Sequence, residues 1–533
     1  MWLMLLWATF FVTSLVLYYR QQCSTFKRRG LKYVTPVPVL GNMATVALGL
    51  EHFTDYLKRI YNKYPNERFI GNFEFTTPVL FIRDLELIKQ IAIKDFEHFL
   101  DHRTVVDDKV DPFWGRNLFS LKGHEWRDMR STLSPAFTSA KIRNMVPFMT
   151  EVGEHMVRSI KTEINKSGSN SVVVETKDMT MRYSNDVIAS CAFGLKVDSH
   201  NEPDNVFFDM SKDATSFKWR QLIVFFAYNS FPKIMSMLKL SVFSKATMRF
   251  FKALISNTMK ERETRNIVRP DMIHLLMEAK KGQLSYDEKT KDTAVGFATV
   301  EESDFGKQKT VTDWSEDDLI AQALIFLLGG LETVSSVTTF ALLELAIHPD
   351  AQEKLVKEIK EYHERNKGVL DFQTLQSMVY MDMVVSEVLR LWTPGFMIDR
   401  RCIKDYNLGK PNKEAKEDYI IRKGEGLIIP VWAFHRNPDY FPDPDKFDPE
   451  RFAEENKGKM NPNAYLPFGI GPRNCIGSRF ALCDVKAILY QTLLNFEVSP
   501  TEKTTIPLAL DKSAFSPRVK NGAYVNFRIR KEI

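Results

Sequence analysis

The sequence has few cysteines, and they are not arranged as a disulfide framework or a metal site. The 533 residues include five cysteines, an odd number scattered along the chain: Cys23, Cys191, Cys402, Cys475 and Cys483. Secreted domains that depend on disulfides use more cysteines at shorter spacings. The sequence contains no C-x-x-C pair, and its ten histidines include no H-E-x-x-H segment. These absences argue against a structural zinc site and against the zinc-hydrolase motif.

The chain also lacks a strong charge of either sign. Its formal net charge is +6, and no arginine-rich stripe with interleaved aromatic residues is present. Nucleic acid is therefore not an expected partner. No internal repeat is visible, which argues against a solenoid or a propeller. No glycine-rich nucleotide fingerprint follows a predicted strand, so the chain is not expected to bind a dinucleotide itself.

The first residues are predicted to be a membrane anchor. Residues 1–19 contain no charged side chain, and as a helix they would span about 28 Å, close to the thickness of a bilayer's hydrocarbon core. Basic residues after this run place the C-terminal side in the cytoplasm. A cleaved signal peptide or a mitochondrial transit peptide would need features that are absent here. We expect three regions: an anchor at 1–20, a basic, proline-containing linker at 21–45 that is stiff and extended near residues 35–42, and a catalytic domain at 46–533.

The spacing of apolar residues predicts a mainly α-helical protein with a smaller β region. Helices are predicted over most of 124–280, 315–347 and 374–391. Strands are predicted at 69–75 and 79–82, with shorter ones between 395 and 432. The charged, glycine-containing stretch 279–315 is predicted to be a long surface loop.

The most informative segment surrounds Cys475. Residues Phe468 to Gly477 read FGIGPRNCIG, and a helix is predicted to follow directly. Free backbone N–H groups and the positive end of a helix dipole favour a thiolate at such a position. Glycines also remove side chains where something flat must approach the backbone closely. The alternative is an inert buried thiol, which would need neither the glycines nor Arg473.

The long apolar helix at 315–347 carries a polar pair beside two glycines, in the order Gly329-Gly330-Leu331-Glu332-Thr333. Glycine inside a helix costs about 1 kcal/mol relative to alanine, which indicates a need for space. The alternative is that the glycines let another helix approach and that Glu332 forms a salt bridge.

Two further patterns combine charge with an apolar setting. Glu387 and Arg390 lie three residues apart on a predicted helix, and their neighbours are too apolar for a solvated face. They are therefore expected to form a buried ion pair. Trp126 and Arg130 lie four residues apart, so they share one face of another helix.

These segments resemble the cytochrome P450 family, the haem-thiolate monooxygenases, and are most similar to insect microsomal members associated with detoxification. The resemblance covers nearly the whole chain and is carried by the cysteine loop, the W-x-x-x-R and E-x-x-R helices and P-E-R-F at 449–452. It implies the cytochrome P450 fold with an N-terminal transmembrane helix. It also implies a haem b cofactor and monooxygenation of lipophilic small molecules such as plant toxins or insecticides.

The resemblance assigns a role to each candidate residue. Cys475 would be the axial ligand of the haem iron. The other cofactor-binding residues would be Phe468, Gly477, Trp126, Arg130, Arg400 and Arg473. Thr333 would hold a water or oxygen above the haem, and Glu332 would help to deliver protons, although Gly329 and Val334 depart from the common pattern. A structural ionic cluster would consist of Glu387, Arg390 and Arg451. The substrate pocket or its access channel would include Phe113, Trp114, Leu118, Phe119, Leu328, Phe396, Phe515 and the segment 217–231.

The resemblance also implies partners and a location. Electrons would come from NADPH through the membrane-bound NADPH–cytochrome P450 reductase, with cytochrome b5 as a second carrier. The protein would lie on the endoplasmic reticulum membrane with its catalytic domain on the cytoplasmic side. A basic docking face is predicted from Arg127, Lys141, Arg143, Lys457, Lys459 and Lys486. The alternatives are a hydroxylase of endogenous lipids or hormones, a haem-thiolate isomerase or dehydratase, and a non-catalytic haem sensor or carrier.

Overall fold

The computed structural model describes residues 2–103, 106–202, 204–215, 219–282, 297–299 and 314–531. Most of the predicted loop at 279–315 therefore lies outside the described residues, and so does Phe217. Helices dominate, as predicted. Up to residue 282 they are α1 (Trp2–Cys23), α2 (Thr25–Arg28), α3 (Ala44–Ala47), α4 (Phe53–Asn62), α5 (Leu85–Lys89), α6 (Pro112–Gly115), α7 (Gly123–Leu133), α8 (Ser139–Arg143), α9 (Val146–Ser167), α10 (Thr176–Ile188), α11 (Val206–Thr215), α12 (Trp219–Ser230), α13 (Pro232–Met237), α14 (Lys245–Arg265) and α15 (Met272–Lys280).

The C-terminal part continues with longer helices around a small β region. Its helices are α16 (Glu316–Ile347), α17 (Pro349–Arg365), α18 (Phe372–Ser377), α19 (Val379–Leu391), α20 (Val431–Phe434) and α21 (Ser478–Asn495). The strands of the whole chain are β1 (Phe69–Glu74), β2 (Thr77–Ile82), β3 (Ser171–Glu175), β4 (Ile398–Arg401), β5 (Tyr406–Asn407), β6 (Ile420–Ile421), β7 (Gly426–Ile429), β8 (Phe496–Pro500) and β9 (Tyr524–Ile529).

The strands form small sheets at the edges of the helical body. One sheet has the order β1-β2-β7-β4, in which β2 and β7 are parallel and the other pairs are antiparallel. A second, antiparallel sheet has the order β3-β9-β8. β5 and β6 form a two-stranded ribbon. The strands predicted at 69–75 and 79–82 are β1 and β2.

Helix α16 is the centre of the core. It begins with a capping box, in which the Ser315 hydroxyl accepts from the backbone of Asp318 and the Asp318 carboxylate accepts from the backbone of Ser315. It ends at Ile347, just before Pro349, because proline cannot continue a helix. The helix is long and apolar enough to cross a membrane, yet 61% of its most apolar stretch is buried inside the protein. We therefore assign α16 to the core.

The linker is folded back onto the catalytic body, so the prediction of a stiff, extended connector near residues 35–42 is wrong. Val37 and Gly41 exchange two backbone hydrogen bonds of 2.8 and 3.0 Å, which closes a tight turn. A Cβ atom at Gly41 would lie 2.4 Å from the carbonyl oxygen of Phe75, so only glycine permits this contact. Phe26 is also buried, 2% exposed. The body therefore begins before residue 46.

The helix predicted over 374–391 is interrupted, and this is a second correction. Met378 has φ −74° and ψ 102°, an extended conformation that separates α18 from α19. At the start of α19, the backbone N–H groups of Tyr380 and Met381 donate to the carboxylate of Glu358, a residue of α17, at 2.8 Å each. This cap lets a new helix begin after Met378.

Candidate active site

The described residues enclose a cavity of about 540 Å³ between α16, α7, β4 and the loop that precedes α21. Its walls are mainly apolar. Several residues predicted to bind a cofactor border it, namely Trp126, Arg130, Arg400, Phe468, Arg473, Cys475 and Gly477. These residues come from three separate parts of the chain and meet at one cavity, whose fourth boundary is α16.

Cys475 lies on a loop that is fixed by backbone contacts. Its N–H donates to the Phe468 carbonyl at 2.8 Å, and Gly469 and Gly471 have φ values of 81° and 73°. A Cβ atom at Gly471 would lie 1.9 Å from the carbonyl oxygen of Ala92, so this glycine allows contact with a neighbouring segment. Gly469 has only the Asn474 Cα nearby, at 3.7 Å, and leaves open space.

Cys475 differs from the other cysteines in its exposure. It is exposed and borders the cavity, whereas Cys191, Cys402 and Cys483 are buried. Burial raises the pKa of the Cys402 thiol to about 11 and that of the Cys483 thiol to about 12. Cys191 borders the same cavity, but burial raises its pKa well above the ordinary value. Cys475 is thus the cysteine best placed to act as a ligand.

Arg473 holds the cysteine loop to the segment that precedes α7. Its guanidinium donates to the backbone carbonyls of Leu100 at 2.9 Å, Leu118 at 3.1 Å, Phe119 at 3.3 Å and Leu121 at 2.6 Å. It also lies over the Trp126 ring, 4.4 Å from the ring centre. Because most of its donors are used in this way, its first role here is to position the loop.

Arg130 and Arg400 supply further positive charge at the same wall. Arg130 donates to the Asn474 carbonyl at 2.9 Å and to the Asn474 side chain at 2.8 Å. Arg400 is 3% exposed and donates to the Asp399 carbonyl at 2.7 Å. Burial lowers the pKa of Arg400 to about 10. Burial, followed by the neighbouring Arg400, also lowers the pKa of Arg473 well below its ordinary value.

This cluster of cations, in which Arg130 and Arg400 are buried and Arg473 is half-buried, fits haem b. Three arginines face one apolar cavity, and buried cations are stable when paired with anions. Haem is flat, apolar over most of its surface and carries two carboxylates, which arginine binds well. Cys475 lies at the same cavity, and a cysteine thiolate is one of the ligands that haem iron takes in proteins. The donor set therefore matches the cofactor.

The notch in α16, which is formed by Gly329 and Gly330, combines the two arrangements that its sequence suggested: one glycine leaves space and the other lets a helix approach. A Cβ atom at Gly329 would meet nothing within 4 Å, so this glycine leaves space at the cavity wall. A Cβ atom at Gly330 would lie 2.5 Å from Ile188 Cδ1, so this glycine lets α10 approach. Thr333 borders the cavity and donates its hydroxyl proton to the Gly329 carbonyl.

Glu332 is turned away from the cavity into a salt bridge. Its carboxylate lies 3.2 Å from Lys177 Nζ and 3.9 Å from Arg518. Lys177 in turn donates to the hydroxyls of Ser335 and Ser336 at 2.8 Å each. In this conformation Glu332 is not among the residues that border the cavity.

The predicted ionic cluster is assembled around Glu387. Arg390 donates twice to its carboxylate, at 2.7 and 2.8 Å, and both side chains are fully buried. Arg451 Nε lies 3.6 Å from the same carboxylate, and the backbone N–H of Asp448 donates to it at 2.9 Å. Burial raises the pKa of Glu387 above its ordinary value, although the arginines act in the opposite direction.

His435 links this cluster to the cysteine loop. One ring nitrogen lies 3.1 Å from the Arg390 carbonyl, and the other accepts from the backbone N–H of Leu466 at 2.8 Å. Leu466 stands two residues before Phe468. Burial lowers the pKa of His435 to about 3, so the ring is neutral and can make both bonds. Sequence reasoning missed this residue, because nothing near it indicates a partner 45 positions away.

The predicted substrate residues separate into two groups. Leu118, Phe119 and Phe396 border the cavity, whereas Phe113, Trp114, Leu328 and Phe515 are not among the described residues that line it. Trp114 instead packs against Phe225 and Phe243, and Phe515 packs behind Phe396. The α12 residues of the segment 217–231 are not among the lining residues either. The apolar, mostly aromatic character of the predicted substrate residues indicated burial, but it did not specify which of them border the cavity.

Some lining residues of α16 were not predicted. Ile325 and Phe326 border the cavity beside Gly329. A signal was available, because Phe326 lies three residues before Gly329 and seven before Thr333 and so shares their helix face. Helical spacing back from the notch would have identified it.

One predicted member of the docking face is wrong. Lys486 is 1% exposed and lies 2.9 Å from Asp382 and 3.3 Å from the Leu375 carbonyl. It therefore joins helices inside the protein and is not available to a partner. Arg127, Lys141, Arg143 and Lys459 remain as predicted members, whereas the side chain of Lys457 lies outside the described residues.

The fold and this cavity together define a class of protein: mainly helical, with a cysteine facing an apolar cavity that is bordered by buried arginines. The sequence profile of the cytochrome P450 family matches residues 31–525. The chain is 42% identical to cytochrome P450 9e2 of Blattella germanica, over 95% of this chain and 94% of that protein. It is 38% identical to probable cytochrome P450 9f2 of Drosophila melanogaster, over 98% and 99%. Cytochrome P450 6j1 of Blattella germanica is 34% identical, over 96% and 95%.

The chain therefore belongs to the cytochrome P450 family. This confirms the family resemblance and the similarity to insect members. It follows that the protein is a haem-dependent monooxygenase, an oxidoreductase.

Proposed function

We propose that this monooxygenase acts on lipophilic small molecules, including foreign compounds such as plant toxins and insecticides. The observation that carries the proposal is the apolar cavity, which is lined by Phe119, Phe326 and Phe396 as well as by Thr333. Apolar and aromatic walls with few polar groups favour lipophilic ligands. An endogenous lipid or hormone would suit the same cavity, so the assay below includes both kinds of compound.

When bound, haem supplies the activation of dioxygen and the transfer of one oxygen atom to the substrate. The chain would hold it at three points. Cys475 would bind the iron from the loop before α21. Arg130 and Arg400 would bind the haem carboxylates, with Trp126 beside them. Arg473 would hold the cysteine loop in place. The ionic cluster would hold the start of the same loop through the hydrogen bonds of His435.

Thr333 would bind a water molecule at the cavity wall. Since its hydroxyl proton is donated to the Gly329 carbonyl, its oxygen can still accept a hydrogen bond from the cavity side. Glu332 would supply protons to this region. Because Lys177 holds its carboxylate outside the cavity, Glu332 must act through water or leave Lys177 first.

Electrons would come from a partner protein. We propose NADPH–cytochrome P450 reductase as the donor, with cytochrome b5 as a second carrier, since the sequence has no dinucleotide fingerprint. The test uses purified protein, reductase, NADPH and a panel of foreign and endogenous lipophilic compounds under labelled dioxygen. Product with one labelled oxygen atom, formed only with NADPH and reductase, would support the proposal. Turnover without NADPH would instead indicate an isomerase or dehydratase.

In the same assay, Thr333→Ala is expected to lower the product formed per NADPH by roughly fivefold, as loss of a hydrogen bond worth about 1 kcal/mol implies. The electrons diverted from product should appear as peroxide and water. Thr333→Ser keeps the hydroxyl and is the matched control, which should remain close to wild type. Equal product yield from the alanine variant would show that Thr333 only stabilises the helix.

The proposed location is the endoplasmic reticulum membrane, with the catalytic domain on the cytoplasmic side and α1 as the anchor. Twenty-two residues of helix extend about 33 Å, and the exposed fractions of Trp2, Leu3, Trp7 and Phe10 are 66–79%. A second apolar surface lies on and after α12, where large apolar side chains are exposed at Ile223, Phe231, Ile234, Met237 and Leu238. We propose that it also contacts lipid.

Deleting residues 1–20 is expected to shift the protein to the soluble fraction while leaving haem content unchanged. Some binding to vesicles should remain through the second apolar surface. The deletion ends before Phe26. The ring of Phe26 packs so closely on Gly71 that a Cβ atom at Gly71 would lie only 2.5 Å from it. A deletion of residues 1–26 is the contrasting variant and should lower stability. If the shorter deletion yields folded protein that binds no haem, α1 is more than an anchor.

A further inference from the structure

His102 is an ionisable residue at the cavity wall that neither the sequence motifs nor the proposed roles include. It borders the cavity together with Arg400 and Arg473. One face of its ring is stacked on Phe119, with ring centres 4.1 Å apart. Its position among the arginines places it where the carboxylates of haem would bind.

The hydrogen bonds of His102 determine which ring nitrogen carries a proton. Nδ1 lies 2.8 Å from Asp399 Oδ1, while Asp399 Oδ2 accepts from the backbone N–H of Arg103 at 2.6 Å. Although burial alone would raise it, the pKa of Asp399 lies well below its ordinary value because of His102 and Arg103. An ionised carboxylate only accepts hydrogen bonds, so Nδ1 must be the donor.

In neutral His102 the other nitrogen, Nε2, is therefore an acceptor. No residue of the described part of the chain donates to it, and the ring borders the cavity. A carboxylate placed against a neutral Nε2 would meet a lone pair and be repelled. Only the doubly protonated ring could donate to a carboxylate there while keeping its bond to Asp399.

The charges around His102 keep it neutral until an anion arrives. Burial lowers its pKa to about 4, since Asp399 offsets only part of the effect and Arg473 and Arg400 lower it further. The adjacent Arg103 is paired with Glu74. The two haem carboxylates would neutralise the arginines and bring negative charge to Nε2, both of which favour a proton on the ring.

We propose that His102 is a conditional carboxylate ligand of haem, which takes up a proton when haem binds and then donates from Nε2 to a haem carboxylate. The inference rests on the placement of haem proposed above. By linkage, haem binds more tightly where His102 is protonated, so haem retention should weaken as pH rises through the pKa that His102 has in the haem-bound protein.

The test measures the rate of haem loss from the purified holoenzyme to excess apomyoglobin between pH 6 and pH 9. A charge-assisted hydrogen bond implies that loss is on the order of tenfold faster at the alkaline end. His102→Arg, which is always charged, should lose haem slowly at every pH. His102→Gln should lose haem rapidly at every pH. The exposed His124 offers a matched control, because His124→Gln should keep the wild-type dependence.

Two results would overturn the proposal: a pH step that survives in His102→Gln, or a wild-type protein without a step. Protonation of Cys475 would speed haem loss at acid pH, which is the opposite sign and cannot imitate the effect. The thiolate-type spectrum of each variant is recorded at the start. If wild type lacks that spectrum, the placement of haem on Cys475 fails. If the spectrum is normal and the pH step does not depend on His102, only the present inference fails.

Discussion

Cys475→Ser is expected to abolish the thiolate-type spectrum of the reduced protein with carbon monoxide, and with it NADPH-dependent turnover. A serine hydroxyl is not ionised at neutral pH and is a poor substitute for the sulfur ligand that gives this family its spectrum. The loop should remain folded, since its backbone bonds do not use the sulfur atom. The measurement is the carbon monoxide difference spectrum together with product formation.

Cys191→Ser is the sharpest control, because Cys191 borders the same cavity but is buried. Its spectrum should be of the wild-type form, and so should that of Cys402→Ser. A Cys475→Ser protein with an unchanged spectrum and normal turnover would remove Cys475 from the role of ligand. Loss of the spectrum in Cys191→Ser alone would transfer that role to Cys191.

Arg390→Met is expected to lower the free energy of unfolding by about 3–5 kcal/mol and to yield protein with little bound haem. The variant leaves the fully buried Glu387 without its bidentate partner. It also removes donors from the carbonyls of His435, Pro444 and Lys446. Denaturant unfolding followed by circular dichroism gives the stability, and the absorbance ratio of haem to protein gives the occupancy.

Two further variants make this prediction specific. Arg451→Met should cost less, since Arg451 Nε lies 3.6 Å from Glu387 whereas Arg390 Nε lies 2.7 Å away. Replacing both Glu387 by Gln and Arg390 by Met should recover part of the loss, because the fully buried carboxylate is then no longer charged, while Arg451 keeps the Pro442 and Asp443 carbonyls as acceptors. A loss below about 1 kcal/mol in Arg390→Met, the range of exposed ion pairs, would show that the cluster is not structural.

Features of the site that depend on local sequence could be predicted. The cysteine loop, the start of α21 and the glycine notch of α16 each occupy consecutive residues, so their composition reveals the local backbone. Glu387 and Arg390 were paired by helical spacing in an apolar setting. The family resemblance then brought Arg451 to the same cluster, which spacing alone could not do.

Features that depend on distant partners could not be predicted. Lys486 is buried because Asp382, about a hundred positions earlier, accepts its charge, and a lysine on a predicted helix otherwise indicates a solvated face. The break at Met378 depends on the Glu358 carboxylate from α17. The protonated nitrogen of His102 is determined by its hydrogen bond to Asp399, 297 positions away. None of these pairings leaves a pattern in the neighbouring sequence.

The four carbonyl bonds of Arg473 have a consequence for how this enzyme could be redesigned. They join the loop that carries Cys475 to the stretch from Leu100 to Leu121, which also supplies Leu118 and Phe119 to the wall of the cavity. Substitutions made in that stretch to change substrate preference are therefore expected to shift the position of Cys475, the proposed iron ligand, as well. Selectivity can be engineered more freely at Phe326 and Phe396, because their backbone carbonyls are not among the acceptors of Arg473.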